Sequence, residues 1–229
     1  MKNESAQLYH HGEQNFIRMK KIGLLLLLFP VLGSCQNMNS KTMEIKQIKN
    51  MENASNTAIL AAGCFWCVEA PLLLLDGVDT VVSGYIGGHV ANPNYAQVSA
   101  GNTGHAEAVM IKFDPSKISY DGLLEAFFLV HDPTQLNRQG NDIGTQYRSA
   151  IFPLDEEQEK KARYYIEKLN EAKAYDEAIV TTIEKATEFY KAEDYHQNYY
   201  ALNPNEMYCR LVIKPKMDKF KKVFADKLK

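Results

Sequence analysis

The apolar run Ala58-Ile59-Leu60-Ala61-Ala62 is followed at once by Gly63-Cys64-Phe65-Trp66-Cys67-Val68-Glu69 and a helix-like stretch from Val68 to Leu75. A short buried strand therefore delivers a cysteine onto the start of a helix, with glycine at the bend between them. Free backbone N–H groups and the positive end of the helix dipole favour an anion there, so Cys64 is expected to ionise more readily than a free cysteine. Phe65 and Trp66, the only tryptophan in the chain, put an apolar wall beside this thiol, and Cys67 follows three residues on. The spacing Cys-x-x-Cys allows the two sulfurs to form a disulfide with little backbone change.

The N-terminus follows a different logic. Met19-Lys20-Lys21 leads into an apolar stretch from Ile22 to Leu32 and ends in Gly33-Ser34-Cys35, the pattern of an export signal. The run is too short for a membrane-spanning helix, which needs roughly 20 apolar residues. With Leu32 three residues before Cys35, the ending resembles that of bacterial lipoproteins, in which the cysteine is lipidated and becomes the new N-terminus. Residues 1–34 are thus expected to be an extension and signal, of which 1–18 precede a better start at Met19. Residues 35–56, rich in Asn, Lys, Met and Ser, are expected to be the lipidated cysteine and a flexible tether, and residues 57–229 the folded domain. The chain is accordingly expected on the outer side of a membrane, held by lipid on Cys35.

Once Cys35 is assigned to lipid, the four cysteines become three, Cys64, Cys67 and Cys209, which is no paired framework. A formal charge of -2 on 229 residues gives no footprint for nucleic acid. Within the domain, Val78–Val82 reads as a strand entering a glycine-rich loop from Gly84 to Tyr95, and Ala106–Phe113 as a second strand. Ser119 caps a helix carrying Leu123, Leu124, Phe127 and Phe128, and Asp155 caps another with Ala162, Ile166 and Leu169 on one face. Tyr147–Phe152, Ile179–Ile183 and the segment after Cys209 read as further strands. Strands and helices mingle without strict alternation, which predicts one α+β domain with a mixed sheet covered by helices. The long polar segment from His131 to Gln146, carrying Asp132, Arg138 and Asp142, is expected to be part of the site.

In this order, Gly63-Cys64-Phe65-Trp66, Gly84-Tyr85-Ile86-Gly87-Gly88, Asn92-Pro93-Asn94-Tyr95, Thr103-Gly104-His105-Ala106-Glu107, His131-Asp132-Pro133-Thr134-Gln135 and Gly140 to Ser149 resemble the motifs of the A-type peptide methionine sulfoxide reductases. The resemblance spans most of residues 57–200. It implies a ferredoxin-like two-layer sandwich and an enzyme that repairs proteins under oxidative stress by reducing methionine-S-sulfoxide, free or in proteins. Carried over by position, Cys64 is the nucleophile, Glu107 the proton donor, and Tyr95 and Tyr147 the hydroxyls that hold the sulfoxide oxygen. Asp142 organises the polar side of the pocket, and Phe65 and Trp66 cradle the S-methyl group. No bound cofactor or metal is implied, and a thioredoxin-type dithiol is the reductant; a monomer is expected, although the sequence leaves the oligomeric state open.

The chemistry of a sulfoxide asks for the same set. It is a poor electrophile until its oxygen is protonated, so thiolate and acid must act together, and burial would keep Glu107 protonated near neutral pH. Attack leaves a sulfenic acid on Cys64, which a neighbouring thiol converts to a disulfide. Cys67 is the favoured partner and Cys209 the alternative. Two other functions fit parts of the chain: a thioredoxin-like disulfide oxidoreductase using Cys64 and Cys67 alone, and a non-catalytic surface lipoprotein. His105 and Glu107 could also form half of a metal site, although no third ligand lies at a suggestive spacing.

Overall fold

The computed structural model describes residues 56–229. The expected export signal, the expected lipidation site Cys35 and all of the expected tether but Asn56 lie outside the described residues. In chain order the elements are β1 Thr57–Ala62, α1 Phe65–Leu72, β2 Val78–Ile86, α2 Tyr95–Ser99, β3 Ala106–Phe113, α3 Tyr120–Val130, β4 Arg138–Gln139, β5 Asp142–Ile143, β6 Ser149–Ile151, α4 Glu156–Glu171, β7 Thr182–Ile183, β8 Tyr190–Lys191, α5 Tyr199–Leu202 and α6 Lys214–Val223. Six strands form one mixed sheet in the order β7-β6-β1-β3-β2-β8, and β4 and β5 form a small separate hairpin. Only β6 and β7 run parallel; the other neighbours in the large sheet are antiparallel. The α+β architecture expected from the sequence is the one found.

β1 sits near the middle of the sheet and is buried on both faces, which is why its sequence is an unbroken apolar run. Its pleat divides it: Ala58, Leu60 and Ala62 enter the main core, while Ile59 and Ala61 join a smaller cluster on the opposite face with Ala106, Ala108 and Phe152. The main core is filled from α1, α3 and α6 by Val68, Leu72, Leu123, Phe127, Met217 and Phe220. On β3, Val109, Ile111 and Phe113 face this core, and the same alternation turns Glu107 toward it and toward α1.

Helix starts follow their capping residues. Ser119 Oγ accepts from the Gly122 N–H at 3.2 Å, and Asp155 Oδ1 from the Gln158 N–H at 2.8 Å. Four strand expectations change. β2 continues to Ile86, so Gly84-Tyr85-Ile86 is strand and not loop. Thr145–Tyr147 is a helical turn before the short β6, and only Thr182–Ile183 of the 179–183 segment pairs. The segment after Cys209, expected as strand, is a wide helical turn over Cys209–Ile213 that runs into α6. Ile213, Met217, Phe220 and Phe224 are all buried, a helical spacing that outweighs the β-branched Val212-Ile213 pair, and Pro215 falls in the first turn of α6, where its missing N–H costs little.

Candidate active site

β1 is followed by Gly63 at φ +85°, a backbone conformation that a side chain would strain, and an added Cβ there would lie 2.5 Å from Gln139 Cβ. This turn sets Cys64 at the N-terminus of α1 without using its side chain as a cap. The next N–H, that of Phe65, donates to Glu107 Oε2 at 3.1 Å. Nucleophile candidate and acid candidate therefore meet at one helix end, one delivered by β1 and the other by β3.

Glu107 is 1% exposed. Burial raises its carboxyl to about 8, against the lowering effect of the Phe65 N–H. At neutral pH it holds a proton. Cys64 departs from expectation: burial pushes its thiol well above the ordinary value, and the hydrogen bond with Cys67 and the nearby Glu107 push the same way. Burial outweighs the helix end, whose Phe65 N–H in any case goes to Glu107 rather than to the thiol. Cys67 moves down to about 7, chiefly through its hydrogen bond with Cys64, with Lys216 and Tyr208 adding to the fall and burial opposing it.

Tyr95 begins α2, and its N–H donates to Glu193 Oε1 at 2.8 Å; the other oxygen of Glu193 accepts from the hydroxyl of the buried Tyr85 at 2.9 Å. Tyr147 ends the turn before β6. Burial raises both the Tyr95 and Tyr147 hydroxyls, and the nearby Glu107 and Cys64 contribute to each. Two hydroxyls thus stay protonated beside the thiol and the acid. Asp142, on β5, accepts from the Tyr208 hydroxyl at 2.7 Å. The rest of the polar segment serves itself: the Asp132 carboxylate takes bonds from Thr134 and Gln135, and Arg138 bonds the Gly140 carbonyl. Of the three charged residues expected there, Asp142 alone joins the cluster.

The apolar wall is more elaborate than Phe65 and Trp66. Phe65 is buried, while Trp66 is half-buried and stacks on Tyr199 at 3.8 Å and 9°. His196 lies 5.0 Å from the Phe65 ring, 5.5 Å from Trp66 and 4.5 Å from Tyr95, buried and with no hydrogen-bond partner for either ring nitrogen among the described residues. The segment carrying these residues is fastened by Glu69 of α1, which accepts the N–H groups of Asn198 and Tyr199, and by Gln197, whose amide bridges the N–H and carbonyl of Ser83. His196 and Tyr199 had no expected role beyond packing, and Glu193 and Tyr208 had none at all. No local motif marks them; the adjacency of Tyr208 to Cys209 was the one available signal.

The metal alternative loses its first ligand, because His105 Nδ1 accepts the Gly88 N–H at 3.1 Å and Nε2 faces the Val90 carbonyl at 2.7 Å. Among the described residues no group of three or more His, Cys, Asp or Glu gathers to hold a metal ion.

The model of the peptide methionine sulfoxide reductase family matches residues 56–228. This chain belongs to that family. It is 57% identical to the reductase of Deinococcus radiodurans over 77% of this chain and 85% of that protein. It is 55% identical to the reductase of Chromobacterium violaceum over 73% of this chain and 96% of that one. Among solved structures, the reduced form of Mxr1 from Saccharomyces cerevisiae matches with a TM-score of 0.61 and 33% identity, covering 68% of this chain and 90% of that one. Methionine sulfoxide reductase A of Corynebacterium diphtheriae matches with a TM-score of 0.58 and 34% identity, over 67% and 77% of the two chains. The chain is therefore an oxidoreductase of methionine sulfoxide, and its fold is that of the family's A type.

Proposed function

We propose that this reductase acts on the S epimer of methionine sulfoxide, free or in proteins, with Cys64 as nucleophile and Glu107 as acid. The observation that carries the assignment is the buried Glu107 carboxyl, bonded to the N–H directly after Cys64 and held protonated to about 8. Cys64 sulfur attacks the sulfoxide sulfur as the oxygen takes the Glu107 proton. The S–S bond so formed breaks as the hydroxyl passes from the substrate sulfur to Cys64, leaving a sulfenic acid there, and methionine departs with the bonding pair on its sulfur. Tyr95 and Tyr147 donate to the oxygen as charge develops on it, Asp142 organises the polar side, and Phe65 and Trp66 receive the methyl group.

Because burial holds Cys64 protonated at rest, its proton must leave before attack. Cys67 then closes the disulfide with Cys64. Cys67 is hydrogen-bonded to Cys64, whereas Cys209 stands buried at the start of the helical turn, which supports Cys67 over Cys209. A thioredoxin-type dithiol reduces that disulfide, and no bound cofactor takes part. A disulfide oxidoreductase built on the two cysteines would have no use for a protonated Glu107 beside the thiol.

The test is an assay with a methyl sulfoxide and dithiothreitol, following the sulfide produced, on the wild type, Cys64→Ser and Glu107→Gln. Turnover by Cys64→Ser would overturn the assignment. The lipid tether is part of the proposal and rests on the sequence from Met19 to Cys35. Cys35→Ala should yield a protein without acyl chains that leaves the membrane fraction; a wild type already lacking lipid would remove the tether.

A further inference from the structure

Tyr208 is one of the functional neighbours that no sequence motif announces, and its hydrogen bonds have a direction. A tyrosine hydroxyl owns one hydrogen and accepts through its lone pairs. The Tyr208 hydroxyl donates to Asp142 Oδ2 at 2.7 Å, a length typical of a bond to a carboxylate. Cys67 Sγ lies 3.5 Å from the same oxygen. With the tyrosine hydrogen committed to Asp142, the thiol is the donor in that second contact, and the chain runs from Cys67 sulfur through Tyr208 oxygen to the Asp142 carboxylate.

We propose that Tyr208 is a positioning residue for the resolving step: its hydroxyl aims the Cys67 thiol and passes the thiol proton to Asp142 as the disulfide forms. This rests on the assignment of Cys67 as resolving thiol. In the step, Cys67 sulfur bonds to Cys64 sulfur as the S–O bond of the sulfenic acid breaks. Cys67 is oxidised and the sulfenic sulfur reduced. Tyr208 takes the thiol proton while giving its own to Asp142, and the departing hydroxide receives a proton from Glu107, which has regained one from solvent after the first step; the product is water.

Three further features favour this role. The Tyr208 ring meets Trp66 edge-on at 5.9 Å and 72°, which fixes its orientation. The residue stands immediately before the wide turn Cys209–Ile213, a helix irregularity of the kind that re-aims a side chain. The charges around Cys67 divide by element: Cys64 on its own helix, Glu107 from β3, Asp142 from the hairpin, Cys209 from the turn and Lys216 from α6. Glu107 serves the sulfoxide end of this arrangement, leaving Asp142 as the carboxylate linked to Cys67 through a hydroxyl.

The experiment gives reduced Tyr208→Phe one equivalent of a methyl sulfoxide without reductant and follows sulfide release and disulfide formation separately. Sulfide release reports that the variant is folded. The ratio of disulfide formation to sulfide release should fall about tenfold or more, as loss of a placed proton acceptor predicts. The pH midpoint for alkylation of Cys67, measured with Cys64 and Cys209 replaced by serine, should move upward in the Phe variant, because the hydroxyl hydrogen that Tyr208 turns to the thiolate once the proton has passed is lost, a change that a packing role for the ring would not cause. A wild-type ratio with an unmoved midpoint overturns the proposal while leaving Cys67 as resolving thiol. If Cys67→Ser itself forms an intramolecular disulfide at the wild-type rate, the underlying assignment falls and the role of Tyr208 with it.

Discussion

Cys64 and Cys67 stand three residues apart on one helix, yet their surroundings drive them in opposite directions. Cys64 faces Glu107, Tyr95 and Tyr147 in a buried, proton-rich corner, and its thiol is pushed up. Cys67 takes a hydrogen bond from Cys64 and has Lys216 nearby and Tyr208 at hydrogen-bond distance, and its thiol comes down to about 7. The difference teaches that a helix N-terminus does not choose which thiol ionises. Its Phe65 N–H goes to Glu107 from β3, while burial and the hydrogen bond between the two thiols set which of them ionises.

The largest break in this comparison is Cys64→Ser. A hydroxyl there stays protonated near neutral pH, so sulfoxide reduction should vanish into background, measured as sulfide produced. Glu107→Gln comes next, with single-turnover reduction slowed on the order of a hundredfold. The wild-type rate should fall as pH rises through about 8, where Glu107 gives up its proton, and the Gln variant should show no such fall. A wild-type rate in Glu107→Gln would take the carboxyl out of the chemistry.

The Cys67 side is probed by the resolving step. Cys67→Ser should release about one equivalent of methionine and then stall with a thioredoxin-type donor, whereas Cys209→Ser should cycle nearly normally. The reverse pattern would mean that the turn at Cys209 opens to reach Cys64. The smallest effect concerns stability. The Glu107 carboxyl is raised from 4.5 to about 8 in the folded state, so the native protein binds that proton more tightly than the unfolded chain does. Wild-type stability should therefore fall between these values as pH rises, and Glu107→Gln, which has no charge to bury, should gain on it. Urea unfolding at about pH 5 and about pH 9 should show the two closely matched at the first and the variant ahead by a few kcal/mol at the second.

Much of the frame was legible in local sequence because local physics wrote it. The continuous apolar run of β1, the caps at Ser119 and Asp155 and the alternation of β3 each express a short-range rule of burial or hydrogen bonding. Where two local rules competed, the sequence misled. Val212 and Ile213 suggested a strand, but Ile213, Met217 and Phe220 needed one helical face to fill the core. The polar segment before Gln146 was recognised as important, yet only packing could show that Asp132 and Arg138 stabilise the loop while Asp142 turns to Tyr208.

By itself, the sequence determined the order of the motifs, the strand-to-helix delivery of Cys64, and the presence of a second thiol one helical turn later. These depend on neighbours within a few residues. Tertiary structure alone decided that the Phe65 N–H goes to Glu107, that Glu193 and Glu69 fasten the segments bearing Tyr95 and Tyr199, and that Tyr208 reaches Cys67 from 141 residues away. Ionisation and orientation depend on burial and on charges a few ångströms off in space, and those distances exist only once the sheet has brought β1, β3 and the C-terminal segment together.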